Sequence, residues 1–361
     1  MNARQLAERI EQLHRDARAC AVAAGLVYVS DEDPGIRRRR QGRGFSFRDV
    51  DNRPVTNTDV KARIVALAIP PAWTDVWICP DGNGHIIAVG QDDRGRKQYL
   101  YHERWRALRD MLNFYRLVSF GEHLSTVRRH VAHQLRRRTL DRDQVIAAML
   151  RIIDTSAVRI GNEVYAEEND SFGLTTLTKR HVSVSGGVVR LRFPAKSGKK
   201  ADVEIVDRGV ARVVTKLEQQ RRRRLFTVAG SAVDAAEVNA MLETLTDAHV
   251  TAKDFRTWRA THAVFSHLEQ HLDVEESDRE AVALQAIDAA ADLLGNTRAV
   301  ARAHYVHPHV VSAFLDGSFS AHLCNGATPG HDLLDDSERR LLGFLEIAME
   351  SDLEAAALGI R

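Results

Sequence analysis

The chain has 361 residues, 44% of them hydrophobic and 28% charged, with a net charge of +2. That length suggests two or three domains and suffices for a buried core, and with no run of about 18 apolar residues nothing is expected to span a membrane. Cys20, Cys79 and Cys324 are odd in number and far apart, which argues against a disulfide framework or a zinc site and points to a reducing cytoplasm. Residues 1–24 are expected to form a charged amphipathic helix, with Leu6, Ile10, Leu13, Ala17, Cys20 and Ala21 on one stripe and no signal-peptide core. Gly25 ends it, residues 26–29 read as a short strand, and residues 31–44 as a turn-rich basic loop. From Phe45 to Tyr101 the text is β-like, with Asp81-Gly82-Asn83-Gly84 a hairpin turn. A small, mostly antiparallel sheet domain is therefore expected over residues 1–103.

Beyond it the period changes. Helices are expected over residues 102–120, 124–138, 141–157, 209–223, 233–246, 252–271, 278–294 and 335–357. Between them, residues 181–193 form a hairpin about Gly186-Gly187, the turn 194–200 follows, and residues 201–206 add a third strand. The fold class is α+β: a β-rich N-terminal domain, then a mainly helical domain (104–361) with a three-stranded insert.

The charge is unevenly spread. Arginine clusters occur at 37–40, 128–129, 136–138 and 221–224, whereas the C-terminal stretch leans acidic. Isolated arginine runs are often solvated helix faces; four separate clusters favour a polyanionic partner, nucleic acid. Several chemistries are missing: a Walker A loop, a dinucleotide fingerprint, a His-Glu-x-x-His pair, a compact carboxylate cluster for magnesium and a Gly-x-Ser-x-Gly elbow. Any phosphodiester chemistry would therefore rest on side-chain cations, with no metal and no cofactor.

Candidate cations sit at element ends. Arg159 follows an amphipathic helix, Lys196 lies at a β-turn tip, and Arg256 lies near a helix start where Asp254 caps and Phe255 and Trp258 anchor. Tyr305 stands where a short basic helix, residues 297–304, runs out, with Pro308 just past its end. Taken singly, each has an ordinary reading: a partner for the helix dipole, a solvated turn lysine, a half-buried tyrosine. A tyrosine hydroxyl, with a pKa near ~10, attacks phosphorus only if neighbours stabilise the developing charge.

Together these segments resemble the type IB DNA topoisomerases, in the compact class shared by poxviruses and many bacteria. The resemblance runs from Ile69-Pro-Pro-Ala-Trp73 to Tyr305 and rests on five motifs in order: the first with Gly95-Arg-Lys97-Gln98-Tyr99-Leu-Tyr101-His102, then Val158-Arg159-Ile-Gly-Asn-Glu-Val-Tyr165, Phe193-x-x-Lys196-Ser-Gly198, Lys253-Asp-Phe-Arg256-Thr-Trp, and Leu294-Gly-Asn296-Thr297 with Tyr305-Val-His-Pro308. It implies the catalytic fold shared with tyrosine recombinases, gripping double-stranded DNA. Tyr305 would form a 3′-phosphotyrosyl bond, Lys196 would act as general acid, and Arg159, Arg256 and Asn296 would hold the phosphate oxygens. Supercoils of either sign would relax without ATP or metal. A histidine is usual at the position of Asn296 in the poxvirus pattern; asparagine keeps one donor but no charge. The resemblance also implies DNA contacts at Gln98, Tyr99, Tyr101 and Tyr165, with Arg259, His262 and His307 flanking the site. It further implies a monomer acting in the cytoplasm on the nucleoid. The alternatives are a tyrosine recombinase and a non-catalytic DNA-binding protein on the same fold.

Overall fold

The computed structural model describes residue 10 and residues 12–161, 171–323 and 331–357. The chain divides into two compact units, residues 1–115 and 116–361. The boundary expected at residue 103 coincides with the start of a long helix that runs on into the second unit.

The first unit is built on a five-stranded antiparallel sheet of β1 (Ile36–Gln41), β2 (Gly44–Arg48), β3 (Thr74–Ile78), β4 (Ile86–Gln91) and β5 (Lys97–Tyr101), in the order β2-β1-β3-β4-β5. Alternation along β3 sends Val76 and Ile78 to one face and Trp77 to the other, and both faces are covered. Val76 and Ile78 pack with Ile36, Ile64 and Ala88, and Trp77 with Cys79, Ile86 and Val89. Ile64 comes from a helix inside the stretch that reads as β, α2 (Thr58–Ala66), started by Asn57, whose Oδ1 accepts from the amides of Asp59 and Val60 at 2.8 and 3.1 Å.

Three local expectations need correction. The expected 1–24 helix is broken at Asp16, whose carboxylate caps α1 (Ala17–Ala23), while residues 1–9 and 11 lie outside the described set. Residues 26–29 make only a single bridge, Val27 to Gly84, because no neighbouring strand offers a longer ladder. The basic loop 31–44 contains β1 instead. Arg38 in β1 lays its guanidinium 4.1 Å from the Phe45 ring centroid and donates to the carbonyls of Ile69, Pro70 and Trp73, so a long stem covers apolar surface where a short polar residue would not. Its neighbours Arg37, Arg39 and Arg40, and Arg43 in the hairpin tip, are exposed, and their side chains have no hydrogen-bond or ion-pair partner among the described residues. Arg37 also stands directly opposite Arg48, a like-charge pair that costs stability.

The second unit is mainly helical. Where two helices are expected over residues 102–138 there is one, α3 (Glu103–Arg136), because Gly121 is a point of close approach rather than a break. A Cβ there would lie 2.7 Å from Trp258 Cζ3 and 2.9 Å from Leu342 Cδ1. Then follow α4 (Arg142–Ser156), the antiparallel strands β6 (Val182–Ser185), β7 (Val188–Pro194) and β8 (Lys200–Val206), and α5 (Arg208–Glu218). The arginine run 221–224 lies beyond α5, not within it. After the two-residue strands β9 (Thr227–Val228) and β10 (Ser231–Ala232) come α6 (Ala235–Thr246), α7 (Ala252–Glu269), α8 (Arg279–Leu294), α9 (Arg298–His304), α10 (Pro308–Asp316) and α11 (Asp336–Ala357). Pro308 opens α10 at its first turn, where its missing N–H costs nothing.

The centre of this unit is α7. Phe255, Trp258, Val264, Phe265 and Leu268 are all buried on it, and α4, α6, α8, α10 and α11 pack around it. Phe255 and Trp258 are the anchors expected of them.

Candidate active site

Four element ends converge on one cavity. The apolar α4 stops when Ala157 takes a left-handed conformation, φ 53°, and the chain turns to present Arg159. The backbone after Arg159 is then pinned: its carbonyl accepts from Leu174 N at 2.9 Å, and that of Ile160 from Thr175 N at 2.8 Å. Gly161, at φ 96°, and Gly173 make this approach possible, since a Cβ on Gly173 would sit 2.4 Å from the Gly161 Cα. Lys196 comes from the β7–β8 turn, closed by Ala195 N donating to Lys199 O at 2.6 Å. Arg256 lies in the second turn of α7, whose entry is secured by Asp254 accepting from Thr251 N at 2.8 Å and pairing with Arg116 at 3.0 Å.

Tyr305 is the C-cap residue of α9. Its amide donates to Ala301 O at 3.0 Å, and its carbonyl accepts from the buried Thr261 hydroxyl on α7 at 3.1 Å. The same hydroxyl accepts from His307 N at 3.1 Å, so one bond from Tyr305 and one from His307 tie this backbone to the helix that carries Arg256.

The cavity these groups enclose holds ≈ 290 Å³ and is lined by Arg159, Lys196, Lys253, Arg256 and Tyr305 together with small and apolar residues. No carboxylate lines it among the described residues. Arg256 is only 4% exposed and donates to the carbonyls of Ala157 and Leu294, not to an acid. Its Nε has no partner among the described residues, and its guanidinium lies 5.1 Å from the Tyr305 ring centroid. Burial first, then the nearby Arg159 charge, pull its pKa down to about 10. Burial alone would raise the Tyr305 hydroxyl, but the charge and hydrogen bond of Arg256, with Arg159 and Lys253, outweigh it and bring the phenol below its ordinary value. Buried cations without a carboxylate among the described residues favour an anion in such a pocket, and the same charges favour the deprotonated form of the phenol.

Asn296 joins the same cluster. Arg159 donates to its Oδ1, which orients the amide and leaves Nδ2 a buried donor without a partner among the described residues. Lys199 donates to its backbone carbonyl at 2.9 Å. The cluster thus gathers Tyr305, Arg159, Lys196, Arg256 and Asn296.

The other expected residues are placed elsewhere. Arg259 is half-buried, its Nη2 3.5 Å from Thr155 O, and His262 lies 3.9 Å from Asp335. His307, expected to flank the site, is buried at 5% exposure, and its Nδ1 accepts from His309 N at the start of α10, so it caps that helix. Gln98, Tyr99 and Tyr101 lie on β5 of the first unit. Gln98 donates to Asp92, and Tyr99 remains 40% exposed, stacked on Tyr101 at 5.7 Å. Tyr165 lies outside the described residues. Lys253 is the residue that sequence reading passed over. Its signal was its spacing, three residues before Arg256 and so on the same face of one helix.

The buried cap has a measurable consequence. Burial, then the neighbouring His309, push the His307 pKa down to about 3. Below the ordinary histidine pKa the unfolded chain takes up a proton that the folded chain refuses, so stability falls as pH drops through ~6.5, by about 1.4 kcal/mol per unit from this group. Unfolding free energies between pH 7.5 and 5 should contain that contribution beside those of other histidines whose pKa burial lowers, and His307→Asn, which keeps a cap without a titrating ring, should reduce the slope by that amount. An unchanged slope in the variant would refute the assignment.

The chain has identifiable relatives. Residues 102–316 match the family described as eukaryotic DNA topoisomerase I, catalytic core, and residues 44–92 match the bacterial DNA topoisomerase IB N-terminal domain. The DNA topoisomerase 1B of Acanthamoeba polyphaga mimivirus is 29% identical over 293 residues, covering 78% of this chain and 87% of that protein. The DNA topoisomerase 1B of Vaccinia virus (strain Copenhagen) is 27% identical over 115 residues, 31% of this chain and 35% of that protein. The DNA topoisomerase I of Monkeypox virus is 25% identical over the same length.

Proposed function

The chain belongs to the type IB DNA topoisomerase family, and from that premise we propose that it relaxes supercoiled DNA of either sign by cutting and resealing one strand through Tyr305. The observation that carries the mechanism is the cavity in which Tyr305, Arg159, Lys196 and Arg256 meet with no carboxylate among the described residues. The Tyr305 oxygen attacks a backbone phosphorus. The Tyr–O–P bond forms as the P–O5′ bond breaks, the phenolic proton leaves to water, and the 5′-oxygen takes a proton from Lys196. Arg159, the free Nε of Arg256 and the Nδ2 donor of Asn296 hold the non-bridging oxygens as charge builds on them. Resealing runs the same steps backwards. The covalent link conserves the bond energy, so no ATP enters, and side-chain cations supply the charge that a metal would otherwise bring.

Action as a monomer is what the family resemblance implies. Among the described residues no helix is long and apolar enough to cross a membrane, and we read the protein as acting on the nucleoid in the cytoplasm, where its DNA substrate would lie. Gln98, Tyr99 and Tyr101, with Arg259 and Tyr165, are read as DNA contacts. The exposed arginines of the β1–β2 hairpin add contacts to the phosphate backbone. Changing Arg37, Arg39 and Arg43 together to glutamine is expected to make log K against log salt shallower by up to ~3, since each phosphate contact contributes about 0.9. A slope equal to wild type would remove the hairpin from the interface.

The deciding experiment is relaxation of a negatively supercoiled plasmid in EDTA without ATP, quenched with SDS to trap protein on DNA. Relaxation with a trapped covalent complex is expected. Binding without relaxation would instead favour a recombinase or a non-catalytic DNA-binding protein.

A further inference from the structure

The family match ends at residue 316, yet α11 begins twenty residues later with a carboxylate that reaches the core of the catalytic unit. Glu338 is 2% exposed. Its Oε2 accepts from Arg128 Nη1 at 2.6 Å and from Asp335 N at 3.1 Å, and its Oε1 accepts from Arg128 Nη2 at 2.8 Å and from Trp258 Nε1 at 3.1 Å. Arg128 in turn donates from Nε and Nη2 to Asp154, both at 2.9 Å, and from Nη1 to Leu333 O at 2.8 Å. All five guanidinium donors are thereby used, in a fork geometry that lysine cannot reproduce.

What the network joins gives it meaning. Asp154 lies in the last turn of α4, five residues before Arg159. Trp258 lies on α7, two residues after Arg256. Arg128 is on α3 and Glu338 on α11, 210 positions apart. Trp258 and Leu342 close over Gly121, so the same helices are also packed face to face at this point. The two helices that set the catalytic arginines are therefore fastened to each other through one ion cluster, and its last member comes from outside the family core.

We infer that Glu338 is a positioning residue for strand transfer: through Arg128 and Trp258 it fixes the ends of α4 and α7, and so the separation of Arg159 and Arg256 about the phosphate. This rests on the topoisomerase reading of the site. Buried ion clusters are weak sources of net stability but strong constraints on geometry once every donor is satisfied, and a misplacement of about 1 Å at a reacting centre can cost ~100-fold in rate.

The test uses the full chain, with single-turnover cleavage of a labelled duplex at saturating DNA, and DNA affinity measured alongside, well below each variant's melting temperature. Glu338→Gln is expected to cleave ~10- to 100-fold more slowly with affinity within about twofold of wild type. Trp258→Phe, which keeps a ring but removes the Nε1 donor, is expected to slow cleavage ~5- to 10-fold, again without loss of affinity. If Glu338→Gln does not fold, Trp258→Phe alone decides. Cleavage at the wild-type rate in a folded variant, even one with a lowered melting temperature, would reduce the cluster to a purely structural role and overturn the inference. A wild-type protein that forms no covalent complex would overturn the topoisomerase reading instead, so the two failures are distinguishable.

Discussion

The Tyr305→Phe protein is expected to lose strand cleavage by at least ~10⁴-fold, equivalent to about 5.5 kcal/mol of activation free energy, while its affinity for DNA is kept. Tyr305 carries the one phenol among the described residues that line the cavity. The backbone at this position is held by the Ala301 carbonyl and the Thr261 hydroxyl, neither of which the substitution touches. The ring can still lie beside Arg256. The loss is confined to one hydrogen bond to that guanidinium, and the fold should change in stability by no more than ~1–2 kcal/mol. The measurement is the amount of protein left on end-labelled DNA after an SDS quench, with a thermal melt as control. Covalent complex formed by the phenylalanine variant at a wild-type rate would move the nucleophile elsewhere.

Arg256 should likewise show a large loss of rate without a matching loss of stability. Arg256→Met is expected to slow cleavage ~10³-fold, in the range seen when one preorganised donor to a developing oxyanion, or an arginine at a transferring phosphoryl group, is removed. The native charge is itself costly. Burial and Arg159 pull the guanidinium pKa to about 10 from 12.5, roughly 3 kcal/mol of unfavourable interaction by the usual conversion. Methionine relieves that while orphaning the carbonyls of Ala157 and Leu294. The two effects are of similar size, so the melting temperature should stay level or rise slightly. Arg256→Lys should not rescue the rate, because one ammonium cannot reach both carbonyls and the phosphate. A strongly destabilised Arg256→Met protein would mean the residue is mainly a structural tie between α4 and α8.

The relation between sequence and structure differs from one arginine to the next. Arg37 and Arg128 both belong to runs that read as one basic population. In the fold the Arg37 side chain is exposed without a partner among the described residues, whereas Arg128 is spent on Asp154 and Glu338. Nothing within several residues of either distinguishes them. The same holds for glycines. Gly25 marks a helix end as expected, at φ 65°, while Gly121 sits within an unbroken helix because Trp258 needs the space above it.

Local pattern determined the β-rich character of the first part, most of the later helices and the three-stranded insert, and family resemblance picked out the four short segments that carry Arg159, Lys196, Arg256, and Asn296 with Tyr305. The elements follow from side-chain periodicity, caps and turn residues, which act between near neighbours in the chain. Only the tertiary structure decided which charges meet. Arg159 finds Asn296 across 137 positions, Arg256 finds Ala157 across 99, and Arg128 finds Glu338 across 210. Such contacts depend on how helices cross in space, and their energies depend on burial that no single segment creates by itself; a lone arginine reads the same whether the fold leaves it to solvent, to a carboxylate or to a phosphate.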